Sequence, residues 1–310
     1  MNTLNAFTTF LTGLLAWIIF LQVLARVGTA INNHLVEYWA RLFASFTALF
    51  ICATYGTIAS AGLSAAGKGG LGQWTTARSF KWTMWVVTGM WFSIDDPNDY
   101  LNTIRPAVFV GNHQTELDVL FLGHIFPKYC SVTAKKSLKY WPFLGWFMAA
   151  SKTVFIERTS RTQAFAAFDK AAAEMKQDRQ SVYIFPEGTR SNYAKPDLLP
   201  FKKGAFHLAI QAQVPIVPVV VANYSNLVSI PRKIFRPGTV PLTVLNPIET
   251  KGKTFEDVDA LTVEVRETML KALKVITEKA RQQGVALHEH EADKIGVKGK
   301  STGIDVGIAT

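Results

Sequence analysis

The sequence predicts an α/β domain with a central mixed sheet flanked by helices, preceded by an N-terminal membrane-embedded helical hairpin. The hairpin rests on charge: no charged side chain occurs from Met1 to Ala25, and none from Leu42 to Gly67. The domain rests on alternation. From about residue 95, short Val-, Ile- and Phe-rich runs take turns with stretches of helical periodicity, the pattern of βα units.

The two predicted membrane helices cover about 4–25 and 42–63, each meeting the roughly 20 apolar residues that a bilayer core requires. A secretory signal does not fit the first, which lacks a basic n-region and is succeeded at once by a second apolar segment. Residues 26–41, with His34 and Glu37, read as a polar connection. Lys68, Arg78 and Lys81 place the chain beyond the hairpin on the cytoplasmic side; a spanning hairpin and one sunk in a single leaflet both satisfy these residues. The expected organisation is 1–67 two-helix anchor, 68–94 linker and interfacial segment, 95–283 α/β domain, and 284–310 flexible polar tail. Within the linker, Trp82–Ile94 is Trp-rich but too short to span, as an interfacial segment would be. Gly67–Gly72 spells G-x-G-x-x-G, but it comes after an Ala/Ser/Gly helix end and no strand, so it reads as a cap and linker.

Strands are expected at Ala107–Val110, Tyr129–Thr133, Thr153–Ile156, Val182–Phe185, Ile216–Val221 and Leu242–Leu245. Helices are expected over Thr162–Gln177 and after Thr254, whose spacing to Asp257 resembles a capping box. The net charge is +10. Its basic residues gather where the apolar segments end and between Lys128 and Arg161, without the interleaved aromatics of a nucleic-acid surface. Anionic lipid head groups or a phosphorylated substrate suit them better. Cys52 and Cys130 form no metal or redox spacing, which fits a reducing compartment. His288–Glu291 reads as a solvated His/Glu stretch and Asn223–Ser225 as a formal glycosylation sequon.

Three stretches have the residue types for chemistry. Gly111–Asp118 sets a His and a carboxylate five apart at a strand-to-helix junction, where the carboxylate can hold the imidazole in one tautomer for general-base work. On spacing alone a surface hydrogen bond is the commoner meaning. Phe185–Ser191 continues a strand with Pro, Gly and Arg190, a loop able to approach an anion and fork onto it, or equally a surface turn with a Glu–Arg pair. Arg158 ends another strand-like run, and Lys202-Lys203-Gly204 opens a helix, where amides favour anions.

Asn112–Asp118 resembles the NHxxxxD signature of the glycerolipid acyltransferases. Phe185–Arg190 is similar to their FPEGTR block and Val214–Val219 to their Pro-containing fourth block, in the family's order, within a likeness running from about Trp82 to Pro247. Phe155–Arg158 matches the end of their second block, but Lys152 stands where a Gly is usual. Ala134–Pro142 is similar to their Lys-rich, Trp-Pro segment. The nearest likeness is to the members that acylate lysophosphatidate.

The resemblance implies transfer of a fatty acyl group from acyl-CoA, a co-substrate with no cofactor or metal, to the sn-2 hydroxyl of 1-acyl-sn-glycerol 3-phosphate, giving phosphatidate. It implies His113 as base and Asp118 as its orienting partner; Arg158, Glu187, Gly188, Thr189 and Arg190 around the acceptor phosphate and glycerol; and Lys135, Lys136, Lys202 and Lys203 toward coenzyme A or head groups. A Lys at 152 would add charge to that pocket. The same motifs serve acyltransferases for glycerol 3-phosphate and other lysophospholipids, and a non-catalytic lipid-binding protein could keep the fold. Implied partners are lysophosphatidate, acyl-CoA and a phospholipid membrane, with no nucleic acid; the oligomeric state is not legible. The implied location is the endoplasmic reticulum with the catalytic domain facing the cytosol, or the inner membrane in a bacterium.

Overall fold

In the computed structural model, which describes residues 3–157 and 161–295, two apolar helices lead into a seven-stranded mixed sheet. Helices α1 (Thr3–Ala30) and α2 (His34–Ala65) form the hairpin, and both are long and apolar enough to cross a membrane. They run further than the apolar stretches do. The 26–41 connection is helical apart from the turn at 31–33, because its polar groups find partners. Asn33 caps α2 by accepting from Leu35 N and Val36 N. Glu37 and Arg41 pair one helical turn apart at 3.2 Å, and Arg41 also donates to the Thr88 carbonyl at 2.8 Å.

Thr88 ends α3 (Gly72–Thr88), which runs back along α2: its first residue packs on Ser60 and its last meets Arg41. Gly89 then turns the chain into β1 (Met90–Asp95). Residues 68–94 therefore differ from the expected linker and interfacial segment; they are a packed helix and a strand of the sheet. The signal was out of local reach, since β1 pairs in parallel only with a strand some 150 residues later, Met90 opposite Gly238. Trp82 and Trp85 nonetheless remain about half exposed. The glycines of the 67–72 stretch come after α2 and open α3, as caps and linker should.

The domain continues with α4 (Tyr100–Thr103), β2 (Val108–Gly111), α5 (Val119–Ile125), β3 (Cys130–Lys135), α6 (Leu144–Ala150), β4 (Val154–Ile156), α7 (Arg161–Asp178), β5 (Ser181–Ile184), α8 (Gly204–Ala212) and β6 (Ile216–Val221). A small hairpin, β7 (Val228–Ser229) and β8 (Ile234–Phe235), precedes β9 (Gly238–Val244), α9 (Val258–Gln282) and α10 (Glu289–Ile295). The capping box opens α9 as expected, with Thr254 N donating to Asp257 Oδ2 at 2.7 Å. Within the expected tail, α10 forms and Leu287 and Ala292 pack on Ala194; residues 296–310 lie outside the described residues.

The sheet order is β1-β9-β6-β2-β5-β3-β4. β2, β5, β3, β4 and β6 are mutually parallel, and β9 turns antiparallel to β6, which makes the sheet mixed. The central strands are near-continuous apolar runs and fully buried, as a sheet covered on both faces requires. From β2 the chain crosses through α5 toward β3; from β5 it crosses through α8 in the opposite direction, to β6. Right-handed crossovers running opposite ways lie on opposite faces, so α5 packs with α3 on one face and α8 with α7 and α9 on the other. The loops after the neighbouring strands β2 and β5 thus part to opposite faces. That opening, at the carboxyl edge of a parallel sheet, is where ligands bind in such folds.

Candidate active site

Gly111–Asp118 leaves the end of β2 into this opening. Gly111 must be glycine because a Cβ there would overlap the buried Tyr183 hydroxyl of β5. The chain then makes a tight turn closed by one carboxylate. Asp118 Oδ2 accepts from Gln114 N at 2.6 Å and Thr115 N at 3.3 Å, while Thr115 Oγ1 accepts from Leu117 N at 3.1 Å. This is a capping box at the helical turn that leads into α5. The same oxygen lies 2.6 Å from His113 Nδ1. The five-residue spacing is therefore physical: the box brings Asp118 back over His113, two residues before its cap Thr115. Asp118 is almost wholly buried, and the His113 side chain is 19% exposed. With Nδ1–H held by the carboxylate, Nε2 is the nitrogen left to take a proton from a substrate.

The ring of His113 is held from below by Phe185, stacked at 4.2 Å between centroids and 20° between planes. Phe185 begins the second motif loop. Phe185–Gly188 is a turn closed by Gly188 N to Phe185 O at 3.0 Å, with Gly188 at φ +69°, a conformation glycine adopts without strain. Glu187 points inward. Its Oε1 accepts from His113 N at 2.7 Å and its Oε2 from Leu199 N at 2.9 Å. Both carboxyl oxygens are occupied, so Glu187 clamps two loops together, and Thr189 and Arg190 form the exposed part of this loop. Burial pushes the Glu187 carboxyl up to about 8; the two amides pull it down, and nearby Asp118 adds to the rise. Ser191 N and Asn192 N donate to the carbonyls of His113 and Gln114, at 2.9 and 3.0 Å, completing the stitching of the β2 and β5 loops.

The third motif, at β6, supplies the other wall. Asn112 exchanges two 2.9 Å hydrogen bonds with the backbone of Val221, and Gln114 Nε2 donates to Ala222 O at 2.9 Å. Two residues on, the buried Tyr224 hydroxyl donates to Asp118 Oδ1 and lies 2.9 Å from Thr115 Oγ1. Sequence reasoning missed Tyr224, and no local signal marks it, because it is brought to Asp118 only by the pairing of β6 with β2. Asn223 of the formal sequon is buried, its amide donating to Tyr193 O at 2.7 Å, so the sequon is packing.

The basic candidates divide. The stem of Lys202 packs over Gly188, within the second motif loop. Lys203 turns away to Asp259 at the start of α9, 2.6 Å off. Lys135 ends β3, and Lys136 donates to Gln163 of α7 at 2.9 Å. Arg158 lies outside the described residues. Lys152 explains the glycine usual at its position: it sits at φ +59°, a left-handed backbone that costs a non-glycine residue roughly 1–2 kcal/mol. Its charge does not reach the motif loops; it pairs with Asp178 at 2.8 Å.

Between α2, α3 and the turn beside Asp118 lies an apolar cavity of about 280 Å³, lined by Leu42, Phe46, Leu49, Phe80, Met84 and Leu117, among others. A larger groove of about 890 Å³ runs between β1, β9 and α9 and contains none of the motif residues.

A family model described as "Acyltransferase" matches residues 94–222, from the end of β1 to just past β6, and so takes in all three motifs. An uncharacterised acyltransferase of Schizosaccharomyces pombe is 45% identical over 77% of this chain and 85% of its own length. The chain belongs to the acyltransferase family. The 1-acyl-sn-glycerol-3-phosphate acyltransferase of Saccharomyces cerevisiae is 43% identical over 77% of this acyltransferase and 78% of the yeast protein. The human beta enzyme of the same name is 41% identical over 59% and 64%. In fold, this acyltransferase is similar to the crystal structure of the 1-acyl-sn-glycerophosphate (LPA) acyltransferase of Thermotoga maritima, with a TM-score of 0.58 over 76% of this chain and 96% of that one at 23% identity.

Proposed function

We propose that this acyltransferase moves a fatty acyl group from acyl-CoA to the sn-2 hydroxyl of 1-acyl-sn-glycerol 3-phosphate, giving phosphatidate in phospholipid synthesis. The observation that carries the chemistry is the 2.6 Å contact of His113 Nδ1 with buried Asp118 in the opening between the β2 and β5 loops. The names of its yeast and human relatives support the acceptor.

His113 Nε2 takes the proton of the acceptor hydroxyl as its oxygen attacks the thioester carbonyl. Asp118 holds the ring in place and stabilises the imidazolium that forms. The C–S bond then breaks, and the proton on His113 passes to the departing thiolate. A thioester is already activated and an alcohol is a weak nucleophile, so a base is the group this reaction asks of the protein. The G-x-S-x-G run at Gly299–Gly303 lies outside the described residues, and in the sequence it follows Gly296-Val297-Lys298 and not the apolar run that leads into a nucleophile elbow, which supports direct attack with no acyl-enzyme. Arg190 in the second motif loop and Arg158 supply cations for the acceptor phosphate, and Lys202, whose stem packs over Gly188, brings another positive charge to that loop; Lys135 and Lys136 are candidates for the coenzyme A phosphates. The apolar cavity lined by Leu117 gives a fatty chain a place beside the turn that carries Asp118. The hairpin suits a substrate that resides in a bilayer, and Lys68, Arg78 and Lys81 after it support a cytosolic face for the domain; the family resemblance supports the endoplasmic reticulum.

The test is an acceptor panel run with one acyl-CoA on the purified full chain in lipid. The expected result is preference for lysophosphatidate over glycerol 3-phosphate and over choline or ethanolamine lysophospholipids, with phosphatidate as the product. Preference for any other acceptor would move the function to that acceptor, and no transfer to any would leave a lipid-binding protein.

A further inference from the structure

We infer that Tyr224 is a positioning residue of the dyad, the group that fixes the second oxygen of Asp118 and so tunes His113; this rests on the general-base reading above. The two oxygens of Asp118 are served unequally. Oδ2 meets His113 Nδ1 and two backbone amides, all from its own turn. Oδ1 faces away from that turn, and the phenol of Tyr224 donates to it. Tyr224 is 1% exposed and comes from the far side of the β2–β6 pair, so its place depends on the sheet and not on the turn. Three contacts fix it there: Thr115 Oγ1 at 2.9 Å from its hydroxyl, its own amide donating to Gln114 Oε1 at 3.4 Å, and its ring edge-on to Phe92 at 6.5 Å.

A carboxylate buried with one oxygen bare would do two things. It could pivot about its Cβ–Cγ bond, loosening the hold on the imidazole. It would also concentrate its charge on Oδ2, which raises the affinity of His113 for a proton. The phenol blocks both, because a hydrogen bond to the charged form spreads and anchors that charge. The other titratable groups facing the dyad are Glu187, from the β5 loop, and Tyr183 of β5. Tyr183 stays a neutral phenol because burial pushes it up, and Glu187 is pushed up to about 8, so the diagnostic limb of the rate profile is the acid one.

The experiment measures kcat, KM and the pH dependence of kcat/KM for the full chain in lipid, comparing wild type, Tyr224→Phe and a chain with 3,5-difluorotyrosine at 224. Tyr224→Phe is expected to lower kcat about 10- to 100-fold, part of the 10²–10⁴ that a general base supplies, with KM for both substrates within about twofold. Its acid limb moves to higher pH. The fluorinated phenol keeps the shape and donates a stronger hydrogen bond, so its acid limb moves to lower pH; it answers the question even if the Phe variant does not fold. An unmoved acid limb in the fluorinated chain, or a folded Phe variant with wild-type kcat, overturns the assignment. Running His113→Ala alongside separates the two readings: a near-normal rate there removes the base itself, whereas loss there with an unmoved fluorinated chain removes only Tyr224.

Discussion

Two histidines eleven residues apart, one before α5 and one in its last turn, show what makes an imidazole usable. His113 stands at the rim of the sheet with one nitrogen 2.6 Å from a buried carboxylate and one face stacked on Phe185. His124, in the last turn of α5, is 4% exposed. Its Nδ1 donates to the Leu120 carbonyl at 3.1 Å, its Nε2 has no partner among the described residues, and its ring packs edge-on against Trp91 and Phe92 at 4.6 and 5.2 Å. Burial pushes His124 down to about 4, and the charges of Lys81 and Arg78 push the same way. One ring has a buried carboxylate behind it and an open side toward a substrate; the other is a polar atom pair enclosed among aromatics that resists charging. Helix and sheet carry both. The difference is a carboxylate and an open side.

The largest effect that would break this contrast is on turnover. His113→Ala should lose on the order of 10²–10⁴-fold in kcat, while His124→Phe, which keeps a ring between Trp91 and Phe92, should keep the wild-type rate; equal losses in the two would erase the distinction. Next in size, Arg190→Lys should raise KM for the phosphorylated acceptor by roughly tenfold with kcat little changed, because Lys lacks the planar fork. A rise confined to acyl-CoA would assign Arg190 to the donor side. The smallest effect sharpens the other half of the contrast. His124 has its proton affinity depressed from 6.5 to about 4 by folding, so its contribution to stability is present above pH 6.5 and is lost as pH falls toward 4. Thermal unfolding of wild type should therefore weaken over that window relative to His124→Phe, whose ring does not titrate; parallel curves for the two would refute the depression.

Local pattern and pairwise structure were legible to different degrees. The His113–Asp118 contact was readable because a capping box is a local device: Thr115 and Asp118 sit at the right spacing, and the turn closes on its own residues. The central strands were readable as buried apolar runs, Ile216–Val221 to the residue. Edge strand β1 was not, since Trp82–Ile94 carries no strand alternation and its partner is remote. The extent of the hairpin helices was hidden for a related reason. Glu37 and Arg41 look like loop residues until they pair with each other and Thr88 of another helix accepts from Arg41. Lys152 and Lys203 show the limit of counting charge: each looked available to an anion, and each is matched by an aspartate that folding brings near.

The sequence by itself determined the apolar hairpin, the α/β class and the turn that joins His113 to Asp118, because each depends on periodicity or on hydrogen bonds within a few residues; the three ordered motifs were legible through their resemblance to a family. Tertiary structure decided the rest. Which loops meet is settled by the reversal of winding between β2 and β5, which sets the β2 loop against Glu187. Which carboxyl clamps and which one holds the base depends on the amides and the phenol that reach them. Tyr224 belongs to the site through strand order alone, since only the pairing of β6 beside β2 carries a residue 106 positions away to the second oxygen of Asp118.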